Sequence, residues 1–209
     1  MNLQPIVLEG TYVRLEPMRR DHHAGLCAVG LDPSLWALSV SALQTPSDMA
    51  EYVETALRWQ QEGTALPFVT VDRRSGQVIG STRYANVDHR HRRLEIGWTW
   101  VAKPWQRTPV NTQAKFLMLR HAFGTLGAVR VEFKTDATNE RSRAAILRLG
   151  AKEEGILRKH MITSSGRHRD SVYFSITDEE WPCVETRLRA LLDRPYEQWA
   201  SVHPDEETE

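Results

Sequence analysis

Apolar and polar positions recur along this chain with two periods, and the order of those periods predicts the fold. From Thr11 to Met18, Val13, Leu15 and Pro17 alternate with Tyr12, Arg14 and Glu16, the period-two pattern of a half-buried strand. Asp21 opens a short helix, and a loop-like stretch holding Trp36 leads to a second helix starting at Pro46-Ser47-Asp48. There Met49, Tyr52, Val53, Ala56 and Leu57 recur at helical spacing until Gly63 stops the run. Strands follow at Leu66 to Asp72 and Gln77 to Tyr84, joined through Arg73-Arg74-Ser75-Gly76, whose glycine suits a tight turn. A third runs from Arg93 to Val101, with Leu94, Ile96, Trp98 and Trp100 expected on one face and Glu95, Gly97 and Thr99 on the other.

After a connector from Gln106 to Val110, Phe116, Leu119, Phe123 and Leu126 mark a helix closed by Gly127. Val129, Val131 and Phe133 then alternate with Arg130, Glu132 and Lys134 in a strand. Asn139 is a good N-cap for the next helix, which Gly150 ends. Two strands, near Gly155 to Thr163 and His168 to Ile176, form a final hairpin, and a helix runs from Asp178 to about Leu192. This order predicts one α/β (α+β) domain over residues 1–194, with a mixed, mostly antiparallel central sheet flanked by helices. Residues 195–209 read as an acidic, mobile tail.

Composition narrows the function classes. Lys plus Arg and Asp plus Glu are 27 each, so the net charge is zero and a uniformly basic nucleic-acid binder is disfavoured. The total hides opposed regions: residues 83–169 hold 18 Lys and Arg against 7 Asp and Glu, a surplus suited to a polyanionic ligand. Cys27 and Cys183 stand alone, so neither a disulfide framework nor a zinc site is expected. The first residues carry no signal-like pattern and no long apolar run occurs, so a cytoplasmic protein without membrane contact is expected. His22-His23 and the group His89 to Arg93 read as solvated loop residues.

The segment Trp105-Gln106-Arg107-Thr108-Pro109-Val110-Asn111-Thr112-Gln113-Ala114-Lys115 joins a strand to a helix N-terminus, where unpaired N–H groups and the helix dipole favour anions. Taken alone, Asn111 or Thr112 is a helix cap. With the strand Leu94 to Val101 before it, and Val129 to Asp136, Asn139-Glu140-Arg141-Ser142 and Leu149-Gly150-Ala151 after it, the chain resembles the GCN5-related N-acetyltransferase superfamily. It looks most like the RimJ/RimL-type branch that acetylates ribosomal-protein N-termini. The resemblance covers Leu8 to Ile176 and implies that fold, with a sheet of six to seven strands.

The resemblance also implies acetyl-CoA as cosubstrate, without metal. The connector's amides would wrap the pyrophosphate, with Gln106, Arg107, Thr108, Val110, Asn111 and Thr112 as candidate contacts. The family's two glycines in that segment are replaced by Pro109 and Asn111, and Pro109 has no N–H to donate. The backbone of Trp98, Thr99, Trp100 and Val101 would pair with the pantetheine arm, Asn139 would bind that arm, and Ser142 would protonate the departing thiolate. Glu95 is the candidate base on the same grounds; its alternative is an ordinary strand residue with a cross-strand partner. Glu132 and Asp136 are weaker candidates, and Tyr173 could approach from the last hairpin. Trp36 is the expected wall of the acceptor pocket.

The expected activity is acetyl transfer to a primary amine by direct attack in a ternary complex, most simply to a protein or peptide α-amine. A small amine acceptor, or a CoA-binding module with little turnover, are the alternatives. The protein is expected to be a monomer or homodimer and to bind no nucleic acid.

Overall fold

Side-chain caps open two of the α-helices, one at Thr45 and one at Asn139. The second helix, α2 (Pro46–Gln61), is opened by a capping box: Thr45 Oγ1 accepts from the Asp48 amide, while the Asp48 carboxylate accepts from the Thr45 amide. It follows β1 (Leu8–Glu9), β2 (Val13–Pro17) and α1 (His23–Gly30). Then come β3 (Leu66–Asp72), β4 (Val78–Asp88), β5 (Arg93–Val101), α3 (Val110–Gly124) and β6 (Arg130–Asp136). The chain continues as α4 (Glu140–Leu149), β7 (Lys152–Ile162), β8 (His168–Thr177) and α5 (Trp181–Leu192). Asn139 caps α4 through its side-chain oxygen, and Gly150 ends that helix at φ 107°, a conformation disfavoured for side-chain-bearing residues. The structure, a computed structural model, describes residues 1–194; the acidic tail expected over 195–209 lies outside the described residues.

The strands form one eight-stranded sheet in the order β1-β2-β3-β4-β5-β6-β8-β7. Every neighbouring pair is antiparallel except β5 and β6. The eighth strand, beyond the six to seven expected, is the two-residue β1, too short to carry an alternating pattern.

Two cores lie on the two faces of the sheet. One packs Leu94, Ile96, Val131, Phe133, Val172 and Phe174 against α3, α4 and α5. The other packs Val69, Val71 and Trp100 against Leu26 of α1 and Met49, Tyr52, Val53 and Ala56 of α2. This division corrects the expected face pattern of β5. Arg83 of β4 is registered with Gly97 and Ser81 with Trp100, so Thr82 alone faces both Trp98 and Thr99. That β-bulge, with Trp98 at φ 48°, inserts one residue and reverses the alternation beyond it. Trp98 and Trp100 consequently belong to the α1/α2 face, while Thr99 turns toward α3.

Two further expectations change in three dimensions. His22 is buried rather than solvated: its Nδ1 accepts from the Arg19 amide at 3.1 Å and its Nε2 lies 3.3 Å from the Glu16 carboxylate. Trp36 is 7% exposed, donates from Nε1 to the Gly30 carbonyl at 2.8 Å and packs on Trp100, which makes it core rather than pocket wall.

Helix α3 is tied to the start of the sheet by Gln113, whose buried Oε1 accepts from the Tyr12 amide at 2.5 Å and the Val13 amide at 3.0 Å. Gln113→Leu keeps the volume and leaves both donors without that acceptor, which costs about 2–4 kcal/mol. Urea unfolding of the variant should show its midpoint lowered accordingly, with an unchanged denaturant slope.

Candidate active site

Strands β5 and β6 pair at only three positions, Arg93 with Arg130, Leu94 with Val131 and Glu95 with Glu132. Beyond them β5 continues to Val101 and β6 to Asp136 without pairing to one another, and the sheet opens into a cleft. The opening begins just before the bulge at Trp98. Because the two strands are parallel, both end at the same edge, and α3 and α4 start there on either side of the cleft. Carboxyl ends of parallel strands flanked by helix N-termini are a ligand-binding arrangement, with unpaired strand edges for amide groups and helix donors for anions.

At the head of α3, Gln106 Nε2 donates to the Val101 carbonyl at 2.7 Å, which fixes the connector to the end of β5. Arg107 is exposed and turns the chain at φ 64°. The Thr108 hydroxyl donates to the Trp105 carbonyl at 2.6 Å. Pro109 occupies the N-cap, just ahead of the first helical residue, where no intrahelical donor is required. The first hydrogen bond into the helix runs from the Gln113 amide to the Pro109 carbonyl, and the Val110 amide donates to Thr108 Oγ1 at 3.4 Å, so the amides of Asn111 and Thr112 are the helix's free-end donors. The Thr112 hydroxyl is buried and accepts from Arg148 of α4 at 2.9 Å, so its side chain joins the two helices. Asn111 Oδ1 is buried without a partner among the described residues.

Across the cleft, Asn139 Oδ1 accepts from the Ser142 amide at 3.0 Å. The part-buried Ser142 hydroxyl has no partner among the described residues. Glu95 is 2% exposed; its Oε2 accepts from Asn86 at 2.8 Å and lies 3.3 Å from Lys134 Nζ. The same ammonium sits over the Trp98 ring at 5.8 Å and the Tyr173 ring at 5.7 Å, so it bridges the mouth of the cleft from β6 toward β5 and β8. Tyr173 meets His160 edge-on at 5.7 Å, and burial together with the Lys134 and Arg169 charges lowers the His160 pKa below its usual value. Glu132 and Asp136 are engaged elsewhere: Glu132 with Arg93 and Arg130, Asp136 with Arg167.

Residues 13–152 match the profile of the acetyltransferase (GNAT) domain. The chain belongs to the GCN5-related N-acetyltransferase family. It is 31% identical over 140 residues to YdaF of Bacillus subtilis strain 168, named as a ribosomal N-acetyltransferase, covering 66% of this chain and 75% of that one. The fold matches a GCN5-related N-acetyltransferase from Brucella melitensis with a TM-score of 0.84 and 31% identity, covering 91% of this chain and 86% of that one. It also matches Mycobacterium smegmatis RimJ, solved in complex with CoA-disulfide, with a TM-score of 0.75 and 26% identity over 90% and 92% of the two chains. The protein is therefore an N-acetyltransferase of the RimJ/RimL-like branch, and acetyl-CoA is the family's acetyl donor.

The acetyltransferase also carries site-adjacent residues that periodicity did not single out. Lys134, Arg83 and Lys115 each look, in one dimension, like solvated polar positions. Lys115 lies 5% exposed on α3 and donates to Thr99 Oγ1 at 2.5 Å and Thr82 Oγ1 at 3.1 Å, a strut between the helix and the bulge. Burial pushes its pKa from 10.5 down to about 7. The unfolded chain therefore binds the extra proton between those pH values, so the burial penalty is full below pH 7 and is relieved as pH rises toward 10.5. Against Lys115→Met, the wild-type protein should gain relative stability across that window, read by denaturant unfolding at several pH values.

Proposed function

We propose that the protein transfers the acetyl group of acetyl-CoA to the α-amine of a protein or peptide by direct attack in a ternary complex. The observation that carries this is the cleft: a parallel pair that opens after Glu95 and Glu132, between the N-termini of α3 and α4. The amides of Asn111 and Thr112 face the position a pyrophosphate takes at a helix N-terminus, with Gln106, Arg107, Thr108 and Val110 shaping the approach. From Trp98 to Val101 the edge of β5 that leaves β6 is open to the amides of a pantetheine arm, with the Val101 carbonyl held by Gln106 and the Trp98 carbonyl by Tyr52, and Asn139 borders the other side. That the relatives include a protein named ribosomal N-acetyltransferase supports a protein α-amine as acceptor.

In the reaction the neutral amine attacks the thioester carbonyl, and the oxyanion forms beside the bulged backbone of β5. Collapse breaks the C–S bond, and the leaving thiolate takes a proton from Ser142. The amine's surplus proton passes to Glu95, directly or through water, whose Oε1 is the oxygen not used by Asn86 and Lys134. Lys134 holds the carboxylate in place.

Acetyl transfer screened against N-terminal peptides and small amines together tests the reading. Peptide acetylation at the α-amine is expected; turnover confined to small amines would replace the acceptor, and tight CoA binding without turnover would replace the activity. Ser142→Ala should lower kcat about 10–100-fold with little change in CoA affinity. Glu95→Gln should lower kcat with little change in CoA affinity, whereas Lys134→Met, which leaves the carboxylate, should lower kcat less.

A further inference from the structure

Arg83, at the centre of β4, is 1% exposed, yet its side chain has no carboxylate partner and its Nε and Nη2 have no hydrogen-bond partner among the described residues. Its guanidinium lies 4.7 Å from the Tyr52 ring centre, 5.5 Å from Trp59 and 5.3 Å from Trp98, inside a cage built by α2 and β5. Such contacts offset part of the desolvation of a buried cation, but they satisfy none of its N–H groups. The unpartnered atoms are Nε and Nη2. Those two form the edge that grips a carboxylate with parallel hydrogen bonds. Arg20 uses the same edge on Glu54, at 2.6 and 2.8 Å.

The position of Arg83 gives that edge a use. Arg83 is registered with Gly97, the residue just before the bulge. Glu95 Oε1, the oxygen left free by Asn86 and Lys134, lies 2.7 Å from where a Cβ on Gly97 would stand. Arg83 and Glu95 are therefore diagonal neighbours across the β4/β5 pair with side chains on the same face of the sheet and Gly97 between them, a spacing of about 7–8 Å between the two positions. Trp59 and Trp98 are both part-exposed and meet edge-on at 5.4 Å, so the cage around Arg83 reaches the surface on their side.

We propose that Arg83 binds a carboxylate of the acceptor, which makes the preferred acceptor an amine carrying a carboxylate within a few bonds. The amine lies at Glu95 Oε1, and the carboxylate fills the Nε/Nη2 fork under Trp59 and Trp98. Two sources have this chemistry: the α-carboxylate of a free amino acid, and the acidic side chain of an N-terminal Asp or Glu. This specificity rests on the acetyl-transfer reading above, with Glu95 next to the amine.

Paired acceptors test it. Free amino acids are compared with their amides, and peptides beginning with Asp or Glu with the same peptides beginning with Asn or Gln. At least one charged member should exceed its amide in kcat/KM by roughly tenfold or more, and the pair that responds identifies the source. In Arg83→Gln the ratio should fall to near one, and in Arg83→Lys to a value in between. A ratio within one variant does not depend on how much of it is folded. Equal rates for charged and amide members in the wild type, or a preference retained in Arg83→Gln, would overturn the assignment while leaving acetyl transfer intact. Binding of the same pairs to the CoA-loaded protein, followed by tryptophan fluorescence, supplies a readout without turnover. A charged-over-amide preference there supports Arg83 even where no acetylation is seen, and its absence overturns it.

Discussion

Strands β5 and β6 hold together for three residue pairs and then part, and the rest of the site follows from that parting. A parallel pair left closed to its end would bury the backbone edges that a ligand needs. Here the extra residue at Trp98 bends β5 toward β4 and reverses which side chains face which layer. Because the strands run the same way, the opening coincides with the starts of α3 and α4. The inserted residue turns Trp98 to the α1/α2 face, and the free amides at the start of α3 lie at the same end of the parted strands.

The groups around this opening are costly ones. Lys115 and Arg83 are enclosed without acidic partners among the described residues, the first held by two threonine hydroxyls and the second by three aromatic rings. Glu95 is enclosed with Lys134 and Asn86. Burial of unpaired cations opposes folding, and cores on both faces of the sheet must offset it. Lys115 ties α3 to the bulge, and the Arg83 guanidinium gathers Tyr52, Trp59 and Trp98 around it.

Much of this was legible in one dimension. Leu66–Asp72 and Arg93–Val101 match the predicted strands, and α2 and α4 start at the caps their residues advertise, because alternation and capping are local properties. The segment around Gln106 to Thr112 and the Asn139/Ser142 spacing were also visible as motifs. Trp36 was misplaced because a tryptophan on a loop reads the same whether it lines a pocket or fills a core. His22 was misread because its partner Glu16 lies on a preceding strand.

What the sequence determined by itself is the order of elements, the mixed sheet and the family, since each rests on periods, caps and short motifs within a few residues of chain. The tertiary structure decided which face Trp98 and Thr99 occupy, because a bulge is defined by the neighbouring strand's register. It also decided which cations are enclosed: Arg83, Lys115 and Lys134 read as solvated until α2, the bulge and β8 close around them. Burial and the absence of a counter-charge are properties of contacts between distant segments, and those exist only once the chain has folded.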